Sequence, residues 1–178
     1  MVTRLASFED VPALQQLIAE SVRRLSRDYY TGRQIESAIK YIFGVDSQLL
    51  LDRTYYVIEE DKVIIACGGW SKRKTLYGGD QHKDKADPLL DPEKDAARIR
   101  AFFVHPEWAR KGLGRHILQL CEKAAMKNGF TQMALGATLS GVPLYRAMGY
   151  TEIDRTDEIM PDNEVMPIIK MKKNLTIF

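Results

Sequence analysis

Up to Gly44 the apolar residues of this chain recur every three or four positions, and from Thr54 they gather into short β-branched and aromatic runs. In "VPALQQLIAESVRRLSR", Val11, Leu14, Ile18, Val22 and Leu25 share one helical face and the arginines take the other. After the Thr31-Gly32 break, Ile35, Ala38, Ile39 and Ile42 mark a second helix that Gly44 ends. "TYYVIEE" and "KVIIACGGWSKRK" then read as two strands, joined through Glu60-Asp61 closely enough for a hairpin. A chain that changes period in this way has to lay helices against a sheet.

The rest of the chain alternates between the two periods. "RIRAFFV" is a strand ending at His105-Pro106, and Leu113, Ile117, Leu120, Cys121, Ala124 and Ala125 form the inner face of a helix that Gly129 closes. "FTQMALGAT" is a strand, "SGVPLYRAMGY" a short helix closed by Gly149, and "EVMPIIKMKK" a last strand whose edge is a candidate for pairing two subunits. With "VTRLAS" in front, the predicted order is βααβββαβαβ, plus one possible strand near 151–155. That order predicts an α/β (α+β) fold: one domain over residues 1–178, with a mixed sheet flanked by helices on both faces.

Charge excludes some partners. With 26 basic and 24 acidic residues, a pI near 8.5 and no aromatic residues interleaved with the basic ones, a nucleic-acid-binding role is not expected. Cys67 and Cys121 lie in apolar surroundings without a CxxC or Cys/His cluster, so neither a zinc site nor a disulfide framework is expected. The N-terminus turns polar early and no apolar run has the length of a membrane span. A cytoplasmic protein without a membrane partner is the expectation.

The chemistry concentrates in "RKGLGRHIL", residues 110–118. A strand turning into a helix leaves unpaired N–H groups at the helix start, where the helix dipole is also positive. Gly112 and Gly114 clear the approach, and Arg110, Lys111 and Arg115 add charge. A phosphate or pyrophosphate fits. The loop is neither GxxxxGK[ST] nor GxGxxG, and Gly-x-Gly alone is also compatible with a tight turn that binds nothing.

"FFVHPEWARKGLGRHILQLCEKAAMKNGF", followed by a strand and "GVPLYRAMGY", resembles the GCN5-related N-acetyltransferase (GNAT) family. The resemblance follows the element order of the whole chain and is motif-specific over about residues 98–150. It implies a single GNAT-like domain with a largely antiparallel sheet. It also implies acetyl-CoA as cofactor, bound by Phe103, Val104, Arg110, Lys111, Gly112, Leu113, Gly114, Arg115 and Thr138, with Tyr145 as the acid that protonates the leaving thiolate. Thr138 stands where many members carry Asn, Gly141 where Ala is usual, and Ala109 where the family favours Gln or Arg. The activity implied is acetyl transfer to a primary amine of a small molecule or peptide by direct attack in a ternary complex. The alternative is a module that senses acyl-CoA without turnover.

No base is evident on the sequence. "RIRAFFV" offers Arg98 and Arg100 but no carboxylate, which leaves His105, Glu59, Glu60 and Asp80 as weak candidates. Residues 78–97 form a long polar loop, a candidate lid, with six acids against Lys83, Lys85 and Lys94. Trp70 is a candidate for an acceptor pocket or for the core, and Trp108 for packing on the helix.

Overall fold

The computed structural model describes residues 1–83 and 86–176, so Asp84 and Lys85 of the polar loop lie outside the described residues. Its strands are β1 (Val2–Leu5), β2 (Tyr55–Glu60), β3 (Val63–Ser71), β4 (Ala97–Val104), β5 (Gln132–Ala137), β6 (Thr151–Ile159) and β7 (Val165–Asn174). Its helices are α1 (Val11–Leu25), α2 (Gly32–Tyr41), α3 (Ser47–Leu51), α4 (Leu113–Lys127) and α5 (Val142–Ala147).

The strands form one sheet in the order β1-β2-β3-β4-β5-β7-β6, antiparallel throughout except for β4 and β5. Helices cover both faces, as the period change requires. Leu14, Leu17, Ile18 and Val22 of α1 pack with Ile35 and Ala38 of α2 onto Val57, Cys67 and Ile168. Ile117, Leu118 and Cys121 of α4 pack with Tyr145 of α5 onto Ile65, Ile99 and Leu135 on the other face. Burying each such aliphatic side chain contributes about 1.5–3 kcal/mol.

Two elements differ from the sequence reading. Helix α3 is too short to display a period; Asp46 starts it by accepting the Gln48 N–H at 3.0 Å. Strand β6 runs through nine residues rather than five, because "TEIDRTDEI" is almost wholly exposed and is held by pairing with β7, not by an apolar face. The last strand, β7, lies between β5 and β6 and so has no free edge for subunit pairing; the free edges belong to β1 and β6. The β2–β3 turn is Asp61-Lys62, one place later than read, with both residues at positive φ (48° and 66°) as the twist of a tight hairpin demands.

Candidate active site

The site starts from a fault in β4. Cys67 pairs with Phe103 but Gly69 pairs with Arg100, so Ala101 and Phe102 together oppose Gly68. Ala101 takes a φ of 53°, and the Phe102 ring leaves no room for a side chain on Gly68, where a Cβ would lie 2.6 Å from it. Beyond the bulge, His105 donates its N–H to Ile65 at 2.8 Å and Val104 pairs with Ala66. The alternation of an antiparallel ladder then turns the Phe103 N–H toward β3 and the Val104 N–H away from it.

On that other side stands β5, parallel to β4 and in register only at Ala97 with Met133 and Arg98 with Ala134. Past those pairs the strands part, and a cleft of about 750 Å³ opens between them. All of the residues that the motif resemblance assigned to the cofactor or to catalysis line this cleft except Lys111. Lys111 places its Nζ 4.6 Å from the centre of the Trp108 ring, and Trp108 itself lines the cleft.

At one end the cleft meets the start of α4. Arg110 and Gly112 both take left-handed backbone (φ 61° and 83°), and Gly112 has no side chain to cap the helix. The first intrahelical bond runs from His116 N–H to Gly112 C=O at 3.0 Å, so the N–H groups of Leu113, Gly114 and Arg115 have no helix partner. Gly114 serves close packing: a Cβ there would lie 2.9 Å from Leu144 Cδ2 of α5. An uncapped, positively flanked helix start with open space before it suits an anion of pyrophosphate size.

In the middle lies Tyr145, 8% exposed, its ring edge-on to Phe102 at 6.3 Å and to Tyr150 at 5.9 Å. Burial pushes its pKa well above the ordinary tyrosine value, so the phenol is protonated at neutral pH. Opposite, Thr138 Oγ1 is 3.0 Å from Ser140 Oγ, which is 3.2 Å from Ser26 Oγ at the end of α1. This hydroxyl chain links the α1 side of the cleft to the β5 side.

The far end is lined by Ser21, Asp28 and Tyr29 from α1 and the turn after it, and by Tyr77, Gly78 and Gly79. Beneath it Arg100, 2% exposed, sits 2.9 Å from Asp46 and donates to Gly78 C=O, while Lys83 donates to Asp46 at 2.5 Å. Asp80 accepts from the Ser47 N–H at 3.0 Å, and Asp87 from the Thr75 N–H at 2.9 Å. Glu158 of β6 accepts from the Tyr77 hydroxyl at 2.8 Å and lies 2.5 Å from His82 Nε2. The first part of the 78–97 loop is thereby tied to α3, β4 and β6.

The remaining candidates lie elsewhere. His105 is 3.5 Å from Glu20 and accepts the Glu107 N–H; Glu59 pairs with Arg4 at 2.8 Å, and Glu60 with the N-terminal amine at 2.5 Å. Trp70 is a core residue, packed against Phe130. Both cysteines are free and buried, Cys67 with its thiol pushed up to about 12 by burial. Ser26, Asp28 and Ser140 were not read from the sequence. Ser140, two places after Thr138, had a signal in its spacing; the other two reach the cleft only through the fold.

The fold is shared with solved structures of low sequence identity. A GCN5-related N-acetyltransferase from Rhodopseudomonas palustris superposes with a TM-score of 0.73 at 17% identity, covering 98% of this chain and 95% of that one. The PaiA N-acetyltransferase from Thermoplasma acidophilum, solved in complex with coenzyme A, gives 0.63 at 18%, covering 97% and 98%. YncA from Salmonella typhimurium, a putative acetyltransferase solved with its cofactor acetyl-CoA, gives 0.64 at 17%, covering 100% and 95%. No curated protein sequence matches this chain. The model of the Acetyltransferase (GNAT) family matches residues 19–150, which takes in the last part of α1, the bulged β4, the loop before α4 and Tyr145, and the chain belongs to that family.

Proposed function

We propose that this protein is an N-acetyltransferase that moves an acetyl group from acetyl-CoA to a primary amine by direct attack within a ternary complex. The observation that carries the reading is the uncapped start of α4 opening onto the cleft between β4 and β5. Bound there, acetyl-CoA supplies an activated acyl group on a thiol leaving group.

The N–H groups of Leu113, Gly114 and Arg115 hold the pyrophosphate, with Arg110 and Arg115 neutralising its charge. Lys111, stacked on Trp108, raises the field at the loop without lining the cleft. Thr138 with Ser140 does the work of the amide side chain that many relatives carry, two hydroxyls 3.0 Å apart offering both donor and acceptor to the pantetheine arm. The Val104 N–H, turned from β3, stabilises the negative charge that develops on the carbonyl oxygen as the amine nitrogen attacks. Tyr145 gives its phenolic proton to the departing sulfur as the carbon–sulfur bond breaks and recovers one from the amine nitrogen through solvent.

Direct attack is favoured by the cysteines, since Cys67 and Cys121 are buried away from the cleft lining and both thiols are pushed up by burial. The acceptor enters between Asp28 and the Tyr77–Gly79 wall. The 78–97 loop acts as a lid only if the His82–Glu158 and Lys83–Asp46 pairs part first.

Calorimetry with acetyl-CoA, followed by a thiol-release assay over a panel of primary amines, tests this. Gly112→Glu, at a position with nothing within 4 Å of an added Cβ, sets a carboxylate at the helix start and should abolish binding. Tyr145→Phe should keep binding and lower kcat about 100-fold. Absence of binding in the wild type overturns the reading. Binding with no thiol release for any amine leaves the sensing module.

A further inference from the structure

A second cavity, of about 290 Å³, lies at the opposite end of the β4–β5 seam. Ala97 and Ile99, Met133 and Leu135, and Ile169 and Met171 point to the α4 face. The residues between them therefore point to the other face: Arg98, Ala134, Lys170 and Lys172. Ala134 pairs with Arg98 on one side and with Lys172 on the other, and Lys170 pairs with Gly136. Ala134 thus lies at the floor between Arg98 and Lys172, and the long cationic side chains form the walls.

The Arg98 guanidinium is held in place by backbone. Its Nε donates to Lys74 C=O at 3.3 Å and its Nη1 to Ala96 C=O at 2.9 Å, and Nη2 has no hydrogen-bond partner among the described residues. Burial works against its charge. No carboxylate among the described residues comes within 4.0 Å of Arg98, Lys170 or Lys172. Asp95, the acid in the lining, accepts the Asp91 N–H, and Asp154, opposite Lys170 across the β6–β7 ladder, accepts the Arg155 N–H. Lys94 at the rim is paired with Asp91 at 3.3 Å, so among the described residues the cavity's unpaired cations are Arg98, Lys170 and Lys172. Like charges gathered around a small floor, one of them half-buried and preorganised, repel one another until an anion joins them.

We propose that this cavity is a second anion site, taking a small multivalent oxyanion of the phosphate class, free or as the phosphoryl end of a larger molecule. It is distinct from the start of α4. Arg98 and Val104 stand about 20 Å apart along β4, and Leu76 and Leu135, which line both cavities, form the partition.

The test titrates the full chain with inorganic pyrophosphate by calorimetry in wild type, Lys170→Gln/Lys172→Gln and Arg110→Gln/Arg115→Gln. The expected result is a binding event, weakening as salt rises, that survives the 110/115 pair and loses about tenfold or more in affinity with the 170/172 pair. Lys172→Gln alone, at an exposed position, gives the same direction should the double variant lose structure. Adenosine monophosphate competing for that event identifies a phosphoryl end as the ligand; failure to compete identifies the free ion. No event, or one that follows Arg110 and Arg115 and is indifferent to Lys170 and Lys172, overturns the proposal.

Discussion

Gly112 and Gly114, two positions apart, are glycines for different reasons. Gly112 needs a φ of 83° and has empty space around it, whereas a side chain on Gly114 meets Leu144. Gly112→Ala should therefore cost about 1–2 kcal/mol of folding stability through backbone strain alone. Gly114→Ala should be partly rescued by Leu144→Ala, an interaction absent from the Gly112 cycle; urea melts of the single and double variants measure both. Glu158 shows a different sensitivity. Burial pushes its carboxyl up, but hydrogen bonds from His82 and Tyr77 outweigh this and it titrates below an ordinary glutamate. The stability it contributes is then present above the unfolded value of about 4.3 and lost as pH falls through the lower folded value. The difference in urea midpoint between wild type and Glu158→Gln should shrink below about pH 4, and a difference constant from pH 3 to 7 would contradict the assignment.

At the scale of elements, the bulge in β4 and the loop under the far end of the cleft depend on contacts between distant residues. Gly68→Ala should cost about 1–3 kcal/mol, because the Phe102 ring has to leave its place. It should also lower acetyl transfer, since that ring packs against Tyr145. Asp46 is the counter-charge of both Arg100 and Lys83. Asp46→Ala strips buried Arg100 of its carboxylate and leaves Lys83 only Asp87, 3.6 Å away; it should cost about 3–5 kcal/mol, part of which Arg100→Met recovers in the double variant, and chemical denaturation reads both. Strands and helices with an apolar face were legible from period alone, as was the helix start at Gly112. What escaped was held by pairing or capping: β6 by its ladder to β7, and α3 by the Asp46 carboxylate. Nothing local marks the bulge at Ala101–Phe102, because its reason is the empty side of Gly68 on the neighbouring strand.

Taken whole, the molecule keeps chemistry near the seam where its sheet is least continuous. The motif region, 98–150, carries the glycine loop, Tyr145 and Thr138, which is why much of the lining of the candidate site lies in residues that stand close together in the sequence. The far end of the cleft could not be read in this way, since Asp28, Tyr77 and Gly78 come from segments far apart in the chain and share a wall only after α1 and the 78–97 loop are laid over the sheet. The seam has a mechanical reading too. A plate with a crack running in from one rim opens most easily at the tip of the crack, and here the tip is the short parallel ladder of Ala97 with Met133 and Arg98 with Ala134. Amide hydrogens of β5 that face the crack should exchange with deuterium well before those of β7 locked between two full ladders, and a molecule spanning the gap should slow them, as mortar does in a split stone.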